Sequence, residues 1–226
     1  MKTTSLFAAG AVLASAGAAF AIPAFTESFA DGPANWRGET NAEFLDYSPT
    51  GGVVENDGFV SEDFNFVDFV PGGFGGGVQT IFRGEASTGA SGGAFVGDWN
   101  NLTELSFFVR HDAPESLNFF LRLASPFNFP SVNYQAPDAV APNTWTQIDV
   151  PLDASAPGWV LTGTPFSDVL ANIGNVQIGV DRLADTSLPG QDLVVNFDLD
   201  RVSVIPTPGA AGVAVLAGLA AVRRRR

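Results

Sequence analysis

Cysteine is absent from all 226 residues, which excludes disulfide scaffolds, thiolate metal sites and cysteine nucleophiles together. Histidine occurs once, at His111, so two-histidine metal sites and paired-histidine relays are excluded as well. Its place, where a strand pattern gives way to a loop, predicts an ordinary surface residue. Lysine occurs only at Lys2. Between the two ends, six arginines face 24 acidic residues and leave the body at −18. Such a surface repels phosphate backbones and excludes nucleic acid as a partner. It also predicts that neutral glycans bind more readily than anionic ones, unless calcium bridges the latter.

Several catalytic patterns are missing too. No Gly-x-Ser-x-Gly elbow positions a serine nucleophile. The acidic neighbours Glu55 and Asp57, Glu62 and Asp63, and Asp198 and Asp200 are read as solvated surface charge rather than the paired carboxylates of glycoside hydrolysis. A lyase base is scarce in a body with no lysine, one histidine and two tyrosines. The glycine-rich run from Pro71 to Gly77 lacks the Lys and Ser/Thr of a phosphate-binding loop. These absences predict a non-catalytic protein.

What is present suffices for one globular unit. Hydrophobic residues make up 46% of the chain, with 20 Phe and 4 Trp to build a core. Residues 1–21 pair a basic start with an apolar stretch from Leu6 to Phe20 and the small-x-small end Ala19-Phe20-Ala21, the pattern of a secretory signal peptide. Residues 206–226 read Pro206-Thr207-Pro208-Gly209, then thirteen apolar residues from Ala210 to Val222, then Arg223, Arg224, Arg225 and Arg226. A helix of that apolar length rises only about 20 Å, short for a membrane core of about 30 Å, and the arginines mark a cytoplasmic end.

This tail resembles the PEP-CTERM sorting signal of Gram-negative bacteria, with Thr207 where the family carries Glu. The resemblance implies export, an exosortase-type sorting enzyme as partner, transient anchoring in the inner membrane, and delivery to the cell surface or extracellular matrix, where extracellular polysaccharide is the associated material.

Residues 22–205 show short alternating runs divided by Gly, Pro, Asn and Asp, and predict an all-β sandwich. Leu105, Phe107 and Val109 alternate with Glu104, Ser106, Phe108 and Arg110. Leu117, Phe119, Leu121 and Leu123 alternate with Asn118, Phe120 and Arg122. Further strands are expected at 78–83, 145–150, 176–181 and 193–204, with shorter ones near 25–29, 43–47 and 52–60. A two-turn helix is expected over Phe166–Ile173. The last strand changes phase, since Val195, Phe197 and Leu199 share one parity and Val202 and Val204 the other, which predicts a β-bulge at Asp200 and Arg201.

The order of these pieces resembles an antiparallel jelly-roll module of the carbohydrate-binding or laminin B-like type. It is carried by Phe29-Ala30-Asp31-Gly32 with Trp36, strand 103–110, Thr144 to Leu152, Gly158-Trp159, the short helix, and Leu199-Asp200-Arg201-Val202. The resemblance implies a structural calcium ion held by Glu27 or Asp31 with Asp200, although Ala30 replaces the family's carboxylate.

For polysaccharide, the expected ligand-binding set is Phe108 with Arg110 and Phe120 with Arg122, on the polar parity of two neighbouring strands. Trp99, Phe127, Phe129 and Tyr134 are placed in rimming loops, and Trp36, Trp145 and Trp159 in the core. Two rival functions stand beside this one: a structural matrix or surface protein with no glycan ligand, and a carbohydrate-active enzyme.

Overall fold

The computed structural model describes residues 22–54, 57–69, 77–161 and 163–206. The expected signal peptide, and the sorting tail beyond Pro206, lie outside them. No helix among the described residues is long and apolar enough to cross a membrane.

The described residues form eleven strands: β1 (Phe25–Glu27), β2 (Asp46–Ser48), β3 (Phe59–Asn65), β4 (Gln79–Glu85), β5 (Leu102–His111), β6 (Asn118–Ala124), β7 (Ser131–Gln135), β8 (Thr146–Pro151), β9 (Trp159–Val160), β10 (Asn175–Asp181) and β11 (Val194–Pro206). One short helix, α1 (Phe166–Leu170), connects β9 to β10. The strands form an antiparallel jelly-roll sandwich. The first sheet has the order β2-β3-β11-β5-β8, with β1 also paired to β11, and the second has the order β4-β10-β6-β7-β9.

Alternation decides what lies between the sheets. Leu105, Phe107 and Val109 of β5 turn inward to meet Phe119, Leu121 and Leu123 of β6 and Val176, Ile178 and Val180 of β10, all buried. Their polar-parity neighbours are left on the two outer faces. The bulge in β11 is where the phase change requires it: the register with β5 shifts between Asp200 and Ser203, and Arg201 takes φ 49°. The shift returns Val202 and Val204 to the interior.

Trp36 fills the space under β4, its indole donating to Ser91 Oγ at 2.9 Å. Gly84 makes this possible, since a Cβ there would sit 2.6 Å from the Trp36 ring.

Three placements differ from expectation. The strand near 25–29 ends at Glu27, because Phe29 turns at φ 52° and drops into the core. Of the described residues in the run at 52–60, only Phe59 and Val60 are in a strand, where β3 begins. The strands β7 and β9 were not foreseen, since β7 is nearly all polar on one parity and β9 is two residues long.

Candidate functional site

Residues directly opposite one another in an antiparallel pair project to the same face. Following the register across the second sheet gives one unbroken row: Arg37 pairs with Arg83, Arg83 with Gln177, Gln177 with Arg122, Arg122 with Asn133, and Asn133 with Val160. The interior parity of β6 and β10 is apolar, so this row lies on the outer face. It collects three guanidinium groups and two carboxamides on neighbouring strands.

These groups are bonded into a network. Arg122 Nη1 donates to Gln177 Oε1 at 2.8 Å and to Asn128 Oδ1 at 2.5 Å, while Nη2 donates to the Asn128 carbonyl at 2.5 Å. Gln177 Nε2 donates to Glu85 Oε1 at 2.9 Å, and Asn41 Nδ2 to Glu85 Oε2 at 3.0 Å. Arg83 reaches Glu85 at 3.3 Å and the Glu39 carbonyl at 2.7 Å. Burial, followed by the charge of Arg83, lowers the pKa of the Arg122 guanidinium, and Glu85 opposes this. Planar donors and acceptors held in fixed positions suit the hydroxyl-rich edge of a sugar.

An aromatic rim stands beside the row, on the loop between β6 and β7. Phe127 is 90% exposed and Phe129 is 58% exposed, and the Arg122 guanidinium lies 5.1 Å from the centre of the Phe129 ring. Asn128 sits between them at φ 70°, a conformation asparagine tolerates, and its amide donates to the Ser125 carbonyl at 2.8 Å. Exposed ring faces of this kind can stack on the C–H face of a pyranose.

The expected four-residue patch is not one patch. β5 and β6 lie in different sheets, so Phe108 and Arg110 face out on one side of the sandwich and Phe120 and Arg122 on the other. The chain crosses between sheets at residues 112–117, which reverses the sense in which a shared polar parity points. Arg110 is engaged on the first face: it donates to Asp198 Oδ2 at 2.6 Å and lies against the rings of Trp145 at 4.6 Å and Phe59 at 5.1 Å. Trp145 belongs to that face and not to the core. Phe120 shares the face of Arg122 but is only 4% exposed.

Of the remaining aromatics, Trp99 is buried and Tyr134 is a buried residue of β7, so neither lies in a rim. Trp36 is core, and Trp159 is partly buried against it.

Sequence reasoning missed Gln177, Arg83, Arg37 and Asn128. The signal for Arg83 and Gln177 was present, since both have the polar parity of strands that were expected, but the strand order that aligns them was not readable.

Asp200 is fully buried, and its Oδ1 has no partner among the described residues. Oδ2 accepts from the Val53 amide at 2.8 Å. Backbone oxygens crowd this corner: a Cβ on Gly52 would meet Asp200 Oδ2 and the Gly58 carbonyl at 2.7 Å, and one on Gly58 would meet the Phe29 carbonyl at 2.7 Å. Glu27 holds the amide of the same Phe29 at 3.0 Å. A buried carboxylate with one orphaned oxygen fits a hard cation. Asp31 is exposed and lines, with Glu27, a cleft of about 260 Å³ that does not include Asp200. Among the described residues no three His, Asp or Glu side chains cluster to hold a metal, so a cation paired by Asp200 with Glu27 or Asp31 would draw its further ligands from backbone oxygens.

His111 is not on the surface. It is 1% exposed at the end of β5, with Nε2 hydrogen-bonded to the Val140 carbonyl at 3.0 Å. Burial pushes its pKa below the usual imidazole range, against the pull of that carbonyl and of Asp112.

Neither a protein-family model nor a curated protein matches the chain. Among solved structures it is similar to the xylan-binding domain from Paenibacillus barcinonensis, at 12% identity and TM-score 0.45 over 84% of this chain and 97% of that one. The family 11 carbohydrate-binding module of Clostridium thermocellum, solved with a mixed-linked tetrasaccharide, gives 15% identity and TM-score 0.41 over 83% and 98%. Modules of a Clostridium thermocellum xylanase, solved with xylohexaose, give 14% identity and TM-score 0.47 over 81% of this chain. This chain spans 28% of that xylanase structure.

Proposed function

We propose that this protein is an exported, non-catalytic cell-surface or matrix protein that holds polysaccharide on the outer face of its second sheet. The observation that carries the reading is the row from Arg37 to Asn133, flanked by the exposed rings of Phe127 and Phe129. The partly exposed Arg37, Arg83, Arg122 and Asn133 of the row supply hydrogen bonds to sugar hydroxyls while buried Gln177 holds Arg122 in place, the rings supply stacking, and neither needs to move a proton. His111, the sole imidazole, is turned into the sandwich and engaged with Val140, so it takes no part in the outer face.

Export and sorting rest on the two ends. The PEP-CTERM-like tail would engage an exosortase-type enzyme at the inner membrane and release the sandwich to the surface. A structural calcium ion would be held by Asp200, with Glu27 and neighbouring carbonyls. When bound it would neutralise a buried carboxylate where the first and last strands meet.

The test is depletion of the full chain from solution by beads carrying a panel of polysaccharides. Retention that is lost in the Phe127→Ala/Phe129→Ala double variant supports the reading. Failure of every polysaccharide to retain the protein favours a structural protein without a glycan ligand, and sugar release from the beads would indicate an enzyme.

A further inference from the structure

The arginines of the described residues are partnered unevenly. On the first sheet and its bulge, Arg110 pairs with Asp198 at 2.6 Å and Arg201 with Asp57 at 3.2 Å, one carboxylate for each guanidinium. On the second sheet, Arg37, Arg83 and Arg122 stand in one cross-strand row, and among the described residues only Arg83 bonds a carboxylate, that of Glu85. Among the described residues of this chain of formal charge −13, this face gathers three of the six arginines.

The row also keeps unused donors. A guanidinium carries five N–H groups. Among the described residues, Arg37 directs one side-chain bond, to the Ala42 carbonyl at 3.2 Å, and its buried Nε has no partner. Its guanidinium lies 3.6 Å from the centre of the half-exposed Phe44 ring, which holds it in place. Among the described residues, Arg83 directs side-chain bonds to Glu39 and Glu85 only. Such forks match the two oxygens of a carboxylate, and lining a site with one sign of charge raises the local concentration of the opposite sign.

We infer that the ligand of this face is an acidic polysaccharide, whose carboxylate or sulfate groups bond the Arg37–Arg83–Arg122 row while its sugar rings lie against Phe127 and Phe129. This rests on the proposed glycan face and names the class it selects. It reverses, for this face, the expectation drawn from total charge, because a ligand within hydrogen-bond reach responds to the three arginines it touches, of which Arg83 alone bonds a carboxylate among the described residues, more than to screened carboxylates farther away.

Isothermal titration calorimetry of the full chain in EDTA, which removes calcium bridging, tests the inference with an oligogalacturonate, a sulfated oligosaccharide and a neutral xylooligosaccharide. The oligogalacturonate is expected to bind at least about tenfold more tightly than the neutral sugar, and to weaken as salt is added. Arg37→Gln and Arg83→Gln are each expected to weaken it about tenfold, the loss of one charge-assisted hydrogen bond. Arg37→Gln removes one observed side-chain hydrogen bond and the contact with the Phe44 ring, so an unchanged circular dichroism spectrum keeps the result interpretable. Binding of the sulfated sugar as well supports charge as the selector, and its absence supports the carboxylate fork. Equal affinity for the neutral sugar, unaffected by either arginine substitution but lost in Phe127→Ala/Phe129→Ala, overturns the acidic class and leaves the face intact. No binding of any sugar overturns both.

Discussion

Arg122 donates to the side-chain carbonyl of Gln177 at 2.8 Å and thereby ties β6 to β10 across the outer face of the second sheet. Gln177 is only 2% exposed, so both of its polar ends must be satisfied within the protein, and they are, by Arg122 and Glu85. Replacing Gln177 with Leu would leave both partners short of a bond. The expected result is a loss of about 1 to 3 kcal/mol in denaturant melts together with weaker glycan retention. Unchanged retention would mean that Arg122 is positioned by Asn128 alone.

Asp181 closes β10 with its side chain 1% exposed, and neither carboxylate oxygen has a partner among the described residues. Burial raises its pKa from 3.8 to about 6, against the pull of Arg182. The folded-state value lies above the unfolded one, so the contribution to stability is fully present below the unfolded value and is lost as pH rises through about 6. Asp181→Asn is therefore expected to stabilise the protein at neutral pH by up to about 3 kcal/mol and to have no effect in strong acid. Urea melts at the two pH values check this, and an equal effect at both would assign the change to packing.

The inward half of the sandwich was legible because burial of one face forces period-two alternation. Leu105, Phe107 and Val109, and Phe119, Leu121 and Leu123, all point where their parity requires, and the phase change at Asp200 marks a real bulge. The site was less legible, because parity within a strand does not reveal which sheet the strand joins. Phe108 and Phe120 have the same parity and opposite faces for that reason. Arg37, outside any expected strand, enters the row only through an isolated bridge to Arg83. His111 was misplaced because a strand-end position says nothing of the loop at Val140 that covers it.

Calcium is tested by removing it. Chelation with EDTA is expected to lower the melting temperature of the full chain by about 4 °C, corresponding to roughly 1 to 2 kcal/mol, and Asp200→Asn should abolish the response. A melting temperature indifferent to both calcium and EDTA would leave the orphaned Asp200 oxygen as an uncompensated polar group.

Gly84 lies directly over Trp36, and the close approach leaves no room for a methyl group. Gly84→Ala is expected to cost about 1 to 3 kcal/mol through overpacking and to shift the Trp36 fluorescence. A neutral substitution would show that β4 can move away from the indole without loss.

Hydrogen–deuterium exchange of the full chain, with and without the retained polysaccharide, asks which face is covered. New protection over residues 118–135 and 175–181, with residues 104–111 and 145–150 unchanged, is the predicted result. Protection confined to the strands carrying Phe108 and Trp145 would contradict it.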